Sequence, residues 1–163
     1  MIRTNGMILR GALAQDNIHT CGPEKPRRRY FVYTGNTTYG IQNFEYDEYT
    51  GDYIACVYPG KKEKFPNYPA FVIDGSVPAR EETLIGYEPE ARGLVLTLKD
   101  VGERKGTICG LDFAYGSTGI CSLGDGRFYI SEEFSSECGE ATNVCLYELH
   151  INDGRWSFDK ATK

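Results

Sequence analysis

Histidine is nearly missing from this chain. His19 and His150 are the only two, so the side chain most often used for proton transfer is scarce. His19 lies in a stretch that reads as a tail, and His150 ends the strand-like text "CLYELH", where a solvated or capping imidazole is expected. Cys-x-x-Cys spacing is also missing, although there are six cysteines, so neither a metal nor a cofactor is expected. There is no run of the roughly 20 apolar residues that cross a bilayer. Near the start, Arg10 and Gly11 interrupt the apolar stretches before a signal-peptide core can form, and the expected location is cytoplasmic. Positive charge is in deficit. With 18 Lys and Arg against 23 Asp and Glu, a net charge of −5 repels a phosphate backbone or an anionic membrane, so neither is expected as a partner. The Gly-x-Ser-x-Gly, P-loop and dinucleotide fingerprints are absent, since "GSTGICSLG" lacks the lysine and the following helix of a phosphate cradle.

What is abundant points to strands and tight turns. There are 12 Tyr, 8 Phe and 19 Gly against 2 Met, and the expected class is all-β in a single domain-sized chain. Residues 1–29 lack sustained alternation and end in "CGPEKPRRR", which reads as a tail or linker. From Tyr30 onward, aromatic and β-branched residues recur between Gly, Asn and Asp turn formers. Gly51 in "EYTGDY" and Asp125-Gly126 in "LGDGRF" occupy the positions a hairpin tip requires. "VPAREETLIGYEPEAR", residues 77–92, is rich in charge and proline and reads as a loop or insertion. Cys56, Cys109 and Cys121 lie in apolar text and are expected as small buried side chains with reduced thiols. Cys138 and Cys145 bracket "GEATNV", which leaves a bridge across that loop open.

Two stretches read alike. "FVYTGNTTYGI" from Phe31 and "FAYGSTGI" from Phe113 share Phe-x-Tyr and end in Gly-Ile. "GDYIA" from Gly51 aligns with "GRFYI" from Gly126, and "FVIDG" from Phe71 with "LYELH" from Leu146, both at an offset of 75 residues. "GLVLTL" and "GRWSF" then take the last place in each copy. This order of hairpin, third strand and fourth strand resembles the four-stranded antiparallel meander of a β-propeller blade, of about 40 to 50 residues. The chain is similar in this respect to bacterial propeller-like proteins, without the Trp-Asp and Gly-His marks of WD40 blades. The resemblance implies about two blades, one over residues 30–105 and one over 106–163. A β-sandwich is the alternative. Closed propellers hold about four to eight blades, so it further implies either a longer chain supplying the missing blades or copies assembling as a homo-oligomer.

The resemblance implies a binding or scaffold segment for a glycan or a protein. The candidate ligand contacts are Asn36, Thr37 and Thr38, the loop residues Phe65, Asn67 and Tyr68, and Ser117 with Thr118. The alternative is part of a carbohydrate-active enzyme using Asp47, Asp112 or Asp125, since paired carboxylates are what glycoside hydrolysis needs. Asp47, Asp74, Asp112 and Asp125 all fall at expected strand ends or turns, where an Asp also bonds its own backbone. "SLGDGRFY" from Ser122 approaches the Asp box of sialidases, but its Asp is one place too far along, so no sialidase activity is implied.

Overall fold

The computed structural model of the protein describes residues 28–137 and 139–162. The expected tail therefore lies outside the described residues, apart from Arg28 and Arg29, and so do His19, Cys21 and Cys138. Among the described residues there are strands and no helix, arranged in several sheets of which none is closed. The strands are β1 (Tyr30–Phe31), β2 (Thr37–Asp47), β3 (Asp52–Pro59), β4 (Ala70–Ile73), β5 (Arg80–Thr83) and β6 (Arg92–Val95). They continue with β7 (Glu103–Lys105), β8 (Ile108–Gly110), β9 (Ile120–Ser122), β10 (Arg127–Ser136), β11 (Gly139–Asn152) and β12 (Arg155–Lys160).

The sheet β2-β3-β4 lies in the middle. Its strands read "IACV" and "AFVI" because both of its faces are buried, and a continuous apolar run is what such a strand needs. Ile54, Cys56, Ala70 and Val72 point one way, into a core shared with Phe128, Ile130, Tyr147, Trp156 and Phe158 of the sheet β9-β10-β11-β12. Ala55, Val57, Phe71 and Ile73 point the other way, onto Tyr68, Ile108 and the partly buried Tyr33, Phe44, Leu96 and Leu98. The β9–β12 sheet has one buried face, so β10 alternates, with Phe128 and Ile130 enclosed and Tyr129 between them 48% exposed.

Beyond β6 the chain passes to the free edge of β4. Asp74 N donates to Thr97 O (2.9 Å), Lys99 N donates to Val72 O (2.8 Å), and Ile73 bridges Leu98. Residues 97–99 thus lie beside β4, as β12 lies beside β11 in the other sheet. The two Phe-x-Tyr starts sit differently. Phe31 is in β1, paired in parallel with Val95, whereas Phe113 lies in an irregular segment against Tyr147 and Phe158. The stretch expected as a loop or insertion contains β5 and ends at the first residue of β6. All four residues of β5 are exposed, so no alternation marks the strand, and its ladder to β6 is what makes it one.

Phe128→Ala is expected to lower the unfolding free energy by about 3–5 kcal/mol, the range for emptying a buried aromatic site. Tyr129→Ala, on the outer face, is expected to cost under about 1 kcal/mol. Urea unfolding midpoints check this, and equal losses would contradict the facing of β10.

Candidate functional site

Most of the carboxylates singled out from sequence are engaged in turns. Asp47 ends β2 and is fully enclosed; its Oδ2 accepts from Thr50 N (3.0 Å) and Thr50 Oγ1 (2.7 Å), closing the β2–β3 tip. Its Oδ1 accepts from Ser122 Oγ (2.6 Å), which in turn accepts from Gly124 N (3.0 Å). One carboxyl group therefore ties two hairpin tips together. Asn43 and Glu45 extend the tie along β2, since Asn43 Nδ2 donates to Ser117 O and Ser122 N donates to Glu45 Oε1 (2.7 Å). The three residues alternate along the strand and so share one face of it. The enclosed Asp52 accepts from Gly75 N (3.1 Å) and from Lys99 Nζ.

Asp74 accepts from the amide and hydroxyl of Ser76, and these bonds hold its carboxyl below the usual carboxylate range. Asp125 is exposed at the β9–β10 tip. Its Oδ1 accepts from Arg127 N (3.1 Å) and its Oδ2 from Arg127 Nε (2.9 Å), and the guanidinium holds this carboxyl low as well.

The candidate ligand contacts form two groups. Asn36 O accepts from Gly60 N (3.1 Å), and Thr38 Oγ1 donates to Pro59 O (2.8 Å). Phe65 packs beside Gly35, where an added Cβ would come within 3.1 Å of its ring. Asn36 to Thr38 and the Phe65 loop are therefore brought together around Pro59 and Gly60. Asn67 holds that loop by donating to Lys62 O (2.9 Å) and Phe65 O (3.1 Å) from a left-handed backbone at φ 54°. Tyr68 is buried in the core, edge-on to Phe71, and burial first, then nearby Glu103, raises its hydroxyl's pKa. Ser117 and Thr118 lie elsewhere, beside Asn43 of β2, with Thr118 exposed.

Asp112 differs from the other aspartates, because it lines a cleft of about 420 Å³ between the β7–β8 hairpin and β12. Phe113, Trp156 and Phe158 give this cleft an aromatic side, and Glu103, Asp112 and Arg155 line it with charge. Trp156 is fixed by its backbone N, which donates to Val101 O (2.8 Å), and the Phe113 ring lies 4.9 Å from that of Phe158. Arg155 lies 3.7 Å from Asp100, whereas Glu103 and Asp112 have no ion-pair partner among the described residues. Sequence reading missed Glu103, Arg155 and Trp156. The single Trp was the available signal, but in an alternating strand it reads equally well as core.

A further polar cluster stands on the inner face of the β9–β12 sheet. Glu132 accepts from Tyr147 OH (2.5 Å) and lies 2.8 Å from Lys160 Nζ. Lys160 first and Tyr147 second hold the Glu132 carboxyl below its usual range, while burial and then Glu132 raise the Tyr147 hydroxyl. Among the described residues Cys56, Cys109, Cys121 and Cys145 are free thiols; Cys56 and Cys109 are buried, and burial pushes the Cys56 thiol up to about 12, but Cys121 is exposed, contrary to expectation, because the short strand β9 turns it away from the core.

Set against protein-family models, curated proteins and solved structures, the chain finds no match in any of the three.

Removing the Asp47 carboxyl strands donors on both hairpins, at about 1–3 kcal/mol for each buried group left unpaired. Asp47→Ala is expected to destabilise by at least about 2 kcal/mol and to couple with Ser122→Ala by about 0.5–3 kcal/mol in a double-mutant cycle. Additive losses would mean the two tips are not joined through this bond. The Glu132 contribution has a definite sign with pH. A carboxyl held low by folding stabilises fully above the ordinary carboxylate range and less as pH falls through its lowered value. The gap in urea midpoint between the protein and Glu132→Gln is therefore expected to stay constant well above the ordinary carboxylate range and to close as pH falls through and below it. A gap that widens on acidification would contradict the assignment.

Proposed function

We propose that the chain is a propeller-type binding module whose ligand is a neutral glycan held in the cleft beside β12. The observation that carries this reading is the meeting in one cleft of an aromatic side with two carboxylates that have no ion-pair partner among the described residues. Aromatic rings take the C–H faces of a sugar, and carboxylate oxygens accept from its hydroxyls. Arg155 balances one of the two carboxylates, so the net charge of the lining is negative and favours neutral over sialylated or uronic sugars. Propeller-type stacking is supported by the covered faces of β2-β3-β4 and by the uncovered outer face of the β9–β12 sheet, where Tyr129 and Val144 are 48% and 69% exposed. In this reading a further blade, from a longer chain or a second copy, covers that face.

The presence of Glu103 beside Asp112 favours one second reading, a carbohydrate-active enzyme acting with that pair. Asp47 and Asp125 are spent on hairpin tips and do not line the cleft.

A glycan array followed by calorimetry on the neutral oligosaccharides it selects tests the first reading. Asp112→Ala and Glu103→Ala lie at exposed positions and are expected to leave the melting temperature nearly unchanged while weakening binding by about tenfold or more, roughly 1.4 kcal/mol. Undiminished binding in both variants, or a preference for acidic glycans, would defeat it. Turnover of aryl glycosides that disappears in both variants would establish the second reading instead.

A further inference from the structure

A second cleft, of about 510 Å³, opens elsewhere, between the β1-β6-β5 sheet and the β7–β8 hairpin. Its volume falls within the range of small-molecule sites, about 300–1,000 Å³. Three aromatic rings line it, those of Phe31, Tyr33 and Tyr87, together with apolar side chains such as Leu84 and Leu96. The Phe31 and Tyr87 rings pack on each other perpendicularly, at 88° with centroids 6.1 Å apart. Phe31 lies close over Gly93, where an added Cβ would come within 2.7 Å of ring atom Cε2, so this ring position depends on the absence of a side chain there. Tyr87 stands 53% exposed in the β5–β6 connection, whose ends are joined by Leu84 N donating to Ala91 O (2.8 Å).

Two charged residues line the cleft, Glu82 and Arg104. The Arg104 guanidinium lies 3.2 Å from Asp100 Oδ2, and the pair neutralises it. Glu81, the neighbour of Glu82, takes Arg92 at 3.5 Å, while Glu82 itself has no ion-pair partner among the described residues. The unpaired charge of the cleft is therefore negative, and the faces of its rings are negative too.

We infer that this cleft binds a small molecule bearing a methylated ammonium group on an apolar body. The cation meets the ring faces and the Glu82 carboxylate, and the body lies along Leu84 and Leu96. Aromatic surroundings suit a quaternary ammonium because its charge is spread over methyl groups that need no hydrogen-bond acceptor, so little is lost on leaving water. A primary ammonium needs acceptors for three N–H groups and is disfavoured in such a lining. This inference stands independently of the glycan reading, which concerns a different set of residues.

The probe is acetylcholine, compared with its uncharged isostere 3,3-dimethylbutyl acetate, in which carbon replaces the ammonium nitrogen. Titrations are followed by the NMR shifts of the aromatic ring protons and by calorimetry. The cation is expected to bind about tenfold or more tightly than the isostere. Tyr87→Ala is expected to lose about tenfold and Glu82→Gln about threefold or more, both at exposed positions that leave the fold intact. Arg104→Gln is expected to leave binding unchanged or tighter. The inference is overturned if neither probe binds at 10 mM, if both bind equally, if Glu82→Gln has no effect, or if Arg104→Gln abolishes binding.

Discussion

The tip of the β2–β3 hairpin is closed by a carboxyl group that no solvent reaches, and the arrangement of the two larger sheets depends on it. Asp47 takes donors from its own turn and from Ser122 of the other sheet, so the geometry of one hairpin is fixed relative to the other. The enclosed oxygens have to be matched with donors, because an unmatched buried acceptor costs a large part of its lost hydration. That requirement gives the contact a direction. Apolar burial in the core that Ile54 and Phe128 share is non-directional, whereas the bond from Ser122 fixes both a distance and an angle. Asn43 and Glu45 repeat the constraint along β2 and join it to residues 117–122 where no backbone ladder does so.

This polar seam frees the middle sheet to be apolar on both faces. Its β4 edge is covered by residues 97–99 and by Leu111, which bond the backbone of Val72, Asp74 and Ala70, while side chains of β2 hold the opposite edge to residues 117–122. Its burial then holds the layers on either side in place, and those layers carry the clefts. Trp156 and Phe158 belong to the layer on one face of β3 and β4, and Tyr33 and Leu96 to the layer on the other.

What could be read from the residues was local. The all-β class, the turn at Gly51, the turn at Asp125-Gly126 and the burial of Cys56 follow from composition, from turn chemistry and from runs within a few residues. Features set by distant partners were not legible. β5 is a strand only because β6 pairs with it, and its fully exposed residues carry no periodic trace. The bond between Asp47 and Ser122 spans 75 positions and that between Asn43 and Ser117 spans 74, and no local pattern reports either. For the candidate sites the division is the same. That Asp125 and Asp74 serve turns is written in the residues beside them, whereas Asp112 and Glu103 are set in a cleft by strands that come together from different parts of the chain.

The two clefts share one electrostatic device. Arg155 lines the first and Arg104 the second, and both are directed at Asp100, which also receives the Cys109 thiol at 3.5 Å. Arg104 first, then Cys109, hold the Asp100 carboxyl below the usual range, so it remains an anion at neutral pH and faces both guanidiniums at once. The one negative charge of that aspartate balances the closer Arg104 at 3.2 Å, so the charge of Arg155 at 3.7 Å is set against the carboxylates of its own cleft. Asp112 and Glu103 then face one guanidinium in the first cleft, and Glu82 in the second has no ion-pair partner among the described residues. The net charge of −5 has the same sign as both clefts, so the long-range field and the local one act together. Across the two clefts and Asp100, four carboxylates stand against two guanidiniums, so the charge left over is negative and gives hydrogen-bond acceptors for hydroxyls in one cleft and attraction for a cation in the other.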